Sequence, residues 1–594
     1  MDKLALLKSY FGYDSFRQLQ EEVIDSILKS QDVLMILPTG GGKSLCYQLP
    51  TLMLSDVTIV ISPLLALMQD QVEALKANNI ASSMISSMQT LQDIKEIEKK
   101  LYNKELKFLY IAPERLQNEY FLNTLQNLDI NFFVIDEAHC LSQWGHEFRE
   151  DYRKLSLLRE KFPNIPIAAF TATATKEVQS DIINALNLKN PKIVRGRIFR
   201  DNLTIKVQHR IKDGKAQLLE FIKSFKGESG IVYTLSRKST ESIAAYLQSK
   251  GIKAKAYHAG LSNELRNKVY TDFILDKIEV VVATVAFGMG IDKSNIRFVA
   301  HLSMPKSIEN YYQEIGRAGR DGLESQTLLF FGASDIIRQK KFLQDLPDTT
   351  YKKNAFEKLN AMVKFINTQI CRHKYIANYF DDVIKPCKLK CDNCLEPDRN
   401  SIDITINAQK LLSAIYKTGQ SFGLHYVIDV LRGSKEQRVL KNKHDKLSVY
   451  GIGADLSKTQ WLSIADRLLE LEAVAIGEFK VYNITNFGAQ ILKGKAKVDI
   501  NEDRLSLKKQ KSKAKAKIDT SDYDIETFEK LRALRLKIAQ EEGIAPYIVF
   551  SDKTLKELSI AKPKNKEDML KVHGIGEVKY KRYGKIFLEL LTRL

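Results

Sequence analysis

The chain has 594 residues, room for several domains, and carries a formal net charge of +19 with a sequence pI near 9.3. That balance favours a polyanionic partner held in a salt-sensitive way, without distinguishing DNA from RNA. No apolar run approaches the ~20 residues that span a bilayer, the charged start Met1-Asp2-Lys3 breaks any signal peptide too early, and the six cysteines are too clustered for a disulfide framework. A soluble protein of a reducing compartment is expected, with no membrane partner.

Asp32 to Leu37 reads as a short buried strand, followed by Pro38-Thr39-Gly40-Gly41-Gly42-Lys43-Ser44 and a helix from Leu45. A strand–loop–helix junction is where a phosphate cradle belongs. Thr39, Gly40, Gly41 and Gly42 can turn backbone N–H groups toward phosphate oxygens, and the helix N-terminus adds a favourable dipole. Lys43 would reach the β- and γ-phosphates of ATP, and the Ser44 hydroxyl would hold Mg²⁺. The strict spacing fails because its first glycine falls on Leu37, and the form present resembles that of superfamily 2 helicases. A glycine-rich turn before a helix can be mere geometry, but the attached Lys43-Ser44 favours the phosphate reading.

After an apolar strand from Val57 to Ile61, Ser62-Pro63 to Asp70 resembles a backbone-gripping motif. A second buried strand then delivers Val134-Ile135-Asp136-Glu137-Ala138-His139. Alone, an acidic pair there is usually a solvated strand end. With the phosphate loop upstream, Asp136 becomes a Mg²⁺ ligand and Glu137 the base that orients and deprotonates water, a contribution of roughly 10²–10⁴ in rate. His139 is read as a coupling residue. Trp144, His146, Phe148 and Arg149 follow in an aromatic and basic loop suited to single-stranded nucleic acid. Thr171 and Thr173 lie in Phe170-Thr171-Ala172-Thr173-Ala174, which matches the element linking hydrolysis to strand separation.

Val281 to Asp292 leaves a further strand into a loop containing Gly288 and Gly290, and Gln313 to Gly322 supplies Gln313, Arg317 and Arg320. Such an arginine-rich turn is ordinarily solvated. Here a guanidinium can meet charge spread over the γ-phosphate oxygens, worth about 10³–10⁵ in rate. Arg320 is the choice for that finger, with Arg317 supporting it.

Together these residues closely resemble the RecQ family of DNA helicases. The resemblance implies that Phe11 to Gln20 recognises adenine, with Tyr13 and Arg17 lining the base and Gln20 reading its edge. Gln18-Leu19 departs from the family's Pro-Gly, which puts the loop's path in question more than its role. It also implies that the loop from Trp144 to Arg149 couples DNA binding to ATP hydrolysis.

Cys371, Cys387, Cys391 and Cys394 offer thiolates for a tetrahedral structural Zn²⁺ site; free structural cysteines are the bland alternative. Lys388-Leu389-Lys390 inserts one residue relative to the family's spacing, altering the loop but not the ligand count. Cys46 and Cys140 read as ordinary buried thiols. The next segment pairs helices with a late β-rich stretch from Ala473 to Ile484, as in a winged helix, with Trp461 assigned to its core. Lys493 to Lys517 is a lysine-rich tether. Strongly helical periodicity from Tyr523 resembles the HRDC domain, whose Gly574-Ile575-Gly576 turn either faces phosphate or only joins helices.

The expected architecture is multidomain α/β. Two RecA-like lobes with mostly parallel sheets occupy 1–205 and 206–337. A zinc-binding helical module (338–400), a winged helix (401–490), a lysine-rich linker (491–520) and a small all-α HRDC domain (521–594) follow. The resemblance implies an ATP- and Mg²⁺-dependent helicase travelling 3′-to-5′ on single-stranded DNA and acting on duplex and branched DNA in recombination and repair. It further implies a single-strand-binding protein as partner and a cytoplasmic, nucleoid-associated setting in a bacterium. Two rivals stay open: an RNA helicase, because the core motifs overlap, and a binding or annealing scaffold whose ATPase only regulates grip.

Overall fold

In the computed structural model, residues 2–594 are described apart from 87–88, 143–148, 285–286, 288–292, 347–348, 369, 397–400, 478–480 and 506–522. Seven parallel strands form the first sheet: β1 (Val33–Ile36), β2 (Val57–Ile61), β3 (Ser82–Ile85), β4 (Phe108–Ile111), β5 (Ile130–Ile135), β6 (Ile167–Thr171) and β7 (Lys192–Arg195). Their order is β3-β4-β2-β5-β6-β1-β7. The strands are apolar without alternation because both faces are covered. Leu34, Ile59, Leu109 and Phe133 enter one core, while Val33, Val60, Phe108 and Val134 enter the other. This order sets the carboxyl ends of β5, β6 and β1 side by side, where open α/β sheets gather their ligands.

A second parallel sheet holds β8 (Leu203–His209), β9 (Ser229–Tyr233), β10 (Ala254–Tyr257), β11 (Val280–Ala283), β12 (Ile296–His301) and β13 (Ser325–Phe331), ordered β10-β11-β9-β12-β13-β8. The cysteine module covers the exposed edge of β8, the usual remedy for a strand left with unpaired backbone groups. Ile205 N donates to Lys390 O at 3.0 Å, and Ile205 bridges Cys391. Cys371 and Cys391 belong to the same buried apolar cluster as Ile205, Val299 and Phe331, so module and second lobe share one core.

Helices Thr405–Lys417, Leu424–Leu431 and Lys458–Glu470 then pack with an antiparallel hairpin, Val474–Ile476 against Tyr482–Ile484. Trp461 is fully buried among them and donates from Nε1 to Gly453 O at 2.8 Å. The carboxyl-terminal helices, from Ile525–Glu542 to Lys585–Thr592, form a separate core and dock on both lobes. Gly574 N donates to Gly12 O at 3.0 Å, and Ala545 and Ile548 pack with Ala77 of the first lobe and Ile274 of the second. Among the described residues no helix is long and apolar enough to cross a membrane. The tether expected over 493–517 begins later than its lysines suggest: Asp499–Asn501 pairs antiparallel with Ser401–Asp403, and Val498 and Ile500 enter the core that holds Trp461, because apolar side chains stand among the charges there. Residues 506–517 lie outside the described ones.

Candidate active site

The phosphate cradle is built by glycine geometry. Gly40 and Gly42 have φ of 80° and 84°, the left-handed region that only glycine enters cheaply. A Cβ on Gly42 would stand 2.4 Å from Gln20 Nε2. The helix Lys43–Met53 starts at the last loop residue, so Lys43 and Ser44 project from its first turn. Lys43 Nζ donates to Leu37 O at 2.9 Å, and Thr39 lies at the meeting of the two lobes. The segment expected to recognise adenine is tied to this loop. Arg17 donates to Gly40 O at 2.7 Å, while Gln20 donates to Gly42 O at 3.1 Å and accepts from Arg17 N at 2.8 Å. Gln20 is 2% exposed, so its amide serves here as a buried pin between two loops. These two bonds use one N–H and one lone pair of the amide. Tyr13 contacts the ring of His573, centroids 5.0 Å apart.

Asp136 and Glu137 follow β5. Glu137 sits at φ 49°, a left-handed conformation rare outside glycine, asparagine and aspartate, and its N–H donates to Asp136 Oδ1 at 3.0 Å. Burial, reinforced by the Glu137 charge and opposed by Lys43, lifts the Asp136 carboxyl to about 7. Tyr152, which the sequence reading missed, donates its hydroxyl to Asp136 O at 3.0 Å; an isolated tyrosine in a short helix carries no local sign of that contact. His139 is buried, with Nδ1 3.3 Å from Glu137 Oε2 and 3.0 Å from Thr171 Oγ1, and Thr171 donates to Thr173 O at 3.2 Å.

The second lobe closes the site. Gln313 Nε2 lies 3.4 Å from His139 Nε2. The turn beyond it rests on the cradle: a Cβ on Gly40 would meet the Arg320 backbone at 3.3 Å, and one on Gly316 would meet Thr39 at 3.4 Å. Arg317 is buried. Arg149 donates to Pro63 O at 3.0 Å, linking the end of the aromatic loop to the Ser62–Asp70 segment. Trp144, His146 and Phe148, like Gly288, Gly290 and Asp292, lie outside the described residues.

The four cysteines form a separate centre whose sulfur atoms all lie within 4.8 Å of one another. Zinc–sulfur bonds of about 2.3 Å in a tetrahedron require sulfur atoms roughly 3.8 Å apart; Cys371 and Cys391 are 4.0 Å apart. Backbone N–H groups of Arg372 and Cys387 point at Cys391 Sγ (3.4 Å) and Cys371 Sγ (3.2 Å), a setting that suits thiolates. Arg372 pairs through two nitrogens with buried Asp392 between the ligands, at 3.0 and 3.2 Å. The donor set fits Zn²⁺.

Family models match in series: a DEAD/DEAH box helicase over 17–181, a helicase conserved C-terminal domain over 214–322, RecQ zinc-binding over 333–395, an RQC domain over 398–509 and an HRDC domain over 524–591. The chain is 44% identical to the ATP-dependent DNA helicase RecQ of Haemophilus influenzae, covering 99% of this chain and 95% of the relative. It is 40% identical to that of Bacillus subtilis, covering 98% and 97%. The chain belongs to the RecQ family.

Two departures of this RecQ chain now have a structural form. Leu19, where the family carries glycine, adopts φ 74°, so the recognition loop takes a left-handed turn despite its side chain. The residue added between Cys387 and Cys391 is absorbed by Lys388 at φ 61°. The carbonyl of Lys390 is then fixed by Ile205 N and by His373 Nε2, each at 3.0 Å.

Proposed function

We propose that this RecQ chain uses ATP and Mg²⁺ to travel 3′-to-5′ on single-stranded DNA, separating duplex and branched DNA in recombination and repair. It is an ATP-dependent DNA helicase, the activity for which its bacterial relatives are named. The observation that carries the reading is the turn from Gly316 to Arg320, which belongs to one lobe and lies against Thr39 and Gly40 of the other. A hydrolytic site completed across two lobes can convert bond cleavage into relative motion.

The loop N–H groups and Lys43 hold the phosphates. Ser44 and Asp136 would hold Mg²⁺, and the raised, part-buried Asp136 carboxyl beside Glu137 is the kind of group that a divalent cation relieves. Bound there, Mg²⁺ neutralises charge on the phosphate oxygens. Glu137 orients the attacking water and takes its proton. Arg320, with Arg317, meets the charge of the transition state. Gln313, His139, Thr171 and Thr173 link this site to the DNA-binding loop of Trp144, His146, Phe148 and Arg149. Tyr13, Arg17 and Gln20 frame the base. Hydrolysis is needed because stacking costs on the order of 1.4 kcal/mol per base-pair step, roughly 14 kcal/mol for ten pairs.

The whole of β8, from Leu203 to His209, belongs to the second sheet, so a division of the lobes between Arg195 and Leu203 fits better than the boundary expected at residue 205, which falls inside that strand. The same reading puts the protein in the bacterial cytoplasm on the nucleoid, with a single-strand-binding protein as partner. The deciding experiment is release of a labelled strand from duplexes bearing a 3′ or a 5′ single-stranded tail, with ATP and Mg²⁺. Release only from the 3′-tailed substrate, lost in Glu137→Gln, is expected. DNA-stimulated hydrolysis without release would sink the helicase reading.

A further inference from the structure

We propose that Arg200 is a positioning residue for ATP hydrolysis, holding the turn that carries Arg317 and Arg320 to the segment that joins the two lobes. The proposal rests on the roles assigned to those arginines above.

Residues 196–202 are the whole connection between β7 and β8. From this connection the Arg200 fork grips three carbonyls of the turn. One terminal nitrogen donates to Gly316 O at 3.0 Å, and the other to Ala318 O at 2.8 Å and Gly319 O at 2.6 Å. Asn202 adds Nδ2 donations to Gly319 O at 2.8 Å and Leu323 O at 2.9 Å, and its Oδ1 accepts from Arg200 at 3.2 Å. Tyr312, on the helix that leads into the turn, donates to Ile198 O at 2.6 Å. Gly319 makes the grip possible. It adopts φ 62°, and a Cβ there would stand 2.5 Å from Asn202 Nδ2.

The chemistry suits the place. Helix Ile308–Ile315 ends at Gly316, where carbonyls lack partners within the helix and a cation is favoured by the dipole. A planar guanidinium answers several carbonyls from one rigid group, which a lysine ammonium does not reproduce. The opposite side of the turn lies on Thr39 and Gly40. The turn is therefore held between the inter-lobe connection and the phosphate cradle, and Arg200 fixes the angle at which the arginines enter. When the lobes move about that connection, the arginines move with it.

The test is steady-state ATP hydrolysis by the full-length, zinc-loaded protein with saturating single-stranded DNA, comparing Arg200→Ala, Arg200→Lys and Arg320→Ala. Thermal melting, KM for ATP and DNA affinity are measured for each. Arg200→Ala is expected to lower kcat about 10–100-fold, the scale of a displaced catalytic group, with KM and DNA affinity within roughly threefold. Arg320→Ala is expected to lower kcat by about 10³ or more. Wild-type kcat in a folded Arg200→Ala, with Arg320→Ala inactive, overturns the positioning role and leaves the site reading intact. Wild-type kcat in Arg320→Ala overturns that reading and the inference with it. Should Arg200→Ala not fold, Arg200→Lys decides by the same comparison: a fall in kcat with unchanged melting supports the role, and full kcat ends it.

Discussion

Gln313 of the second lobe faces His139 of the first, Nε2 to Nε2 at 3.4 Å, while the other ring nitrogen of His139 turns to Glu137 and Thr171. The glutamine amide can only donate from that atom, so the facing imidazole nitrogen accepts and the proton sits on Nδ1, donated to Thr171 Oγ1 with the Glu137 carboxylate beside it. Gln313→Ala leaves the tautomer unfixed. DNA-stimulated hydrolysis should fall roughly tenfold or more, as for other displaced catalytic groups, while hydrolysis without DNA changes little. Equal losses with and without DNA would remove the coupling role.

The sequence carried the parts of this site that depend on neighbours along the chain. Thr39 to Ser44 specify their own loop, and Asp136-Glu137 needs only a buried strand before it. Cys371 to Cys394 spell out a metal site by composition, and Trp461 follows from an amphipathic helix. What the sequence did not reveal depends on residues far apart. Nothing near Arg200 announces the carbonyls of Gly316 to Gly319, and nothing near Gly12 announces Gly574. The motif around Gln20 points it at a base, but packing also makes it the pin of Gly42. Leu19 shows the limit of local rules in the other direction, since tertiary contacts hold a leucine where its own preference would place glycine.

The raised Asp136 carboxyl gives a pH signature. Its folded value is about 7, against roughly 3.9 in an unfolded chain. Between those values the folded protein retains a proton that the unfolded chain has lost, so metal-free stability falls as pH rises through this window. Mg²⁺ needs the ionised form, so its affinity should climb toward pH 7 and then level. Thermal melts from pH 5 to 8, with and without Mg²⁺, should show both trends in the wild type and neither in Asp136→Asn.

Zinc removal should reach beyond its module, because Cys371 and Cys391 are buried in the core of the second lobe. Cys391→Ser, or chelation, is expected to lower the melting temperature by roughly 10 °C or more, given the usual worth of structural zinc. Metal content and hydrogen exchange across β8 to β13 are the readouts. Full stability without metal would contradict this.

Away from the site, Asp32 is a buried anchor. It accepts from Ile167 N at 2.8 Å and Lys189 N at 2.6 Å and pairs with buried Arg159. Asp32→Ala strands that guanidinium and should cost about 3–5 kcal/mol in chemical denaturation. A loss below 1 kcal/mol would mean that water reaches Arg159.

At one point of the seam between the terminal helices and the first lobe, backbone meets backbone with no side chain between. A Cβ on Gly12 would lie 2.6 Å from Gly574 C, and one on Gly576 would lie 2.5 Å from Lys8 O. Of these glycines, Gly576 has φ −97°, which any residue accepts. One methyl group at position 576 is therefore a wedge: it prises the terminal domain off the motor while leaving every charge and every apolar side chain of both as they were.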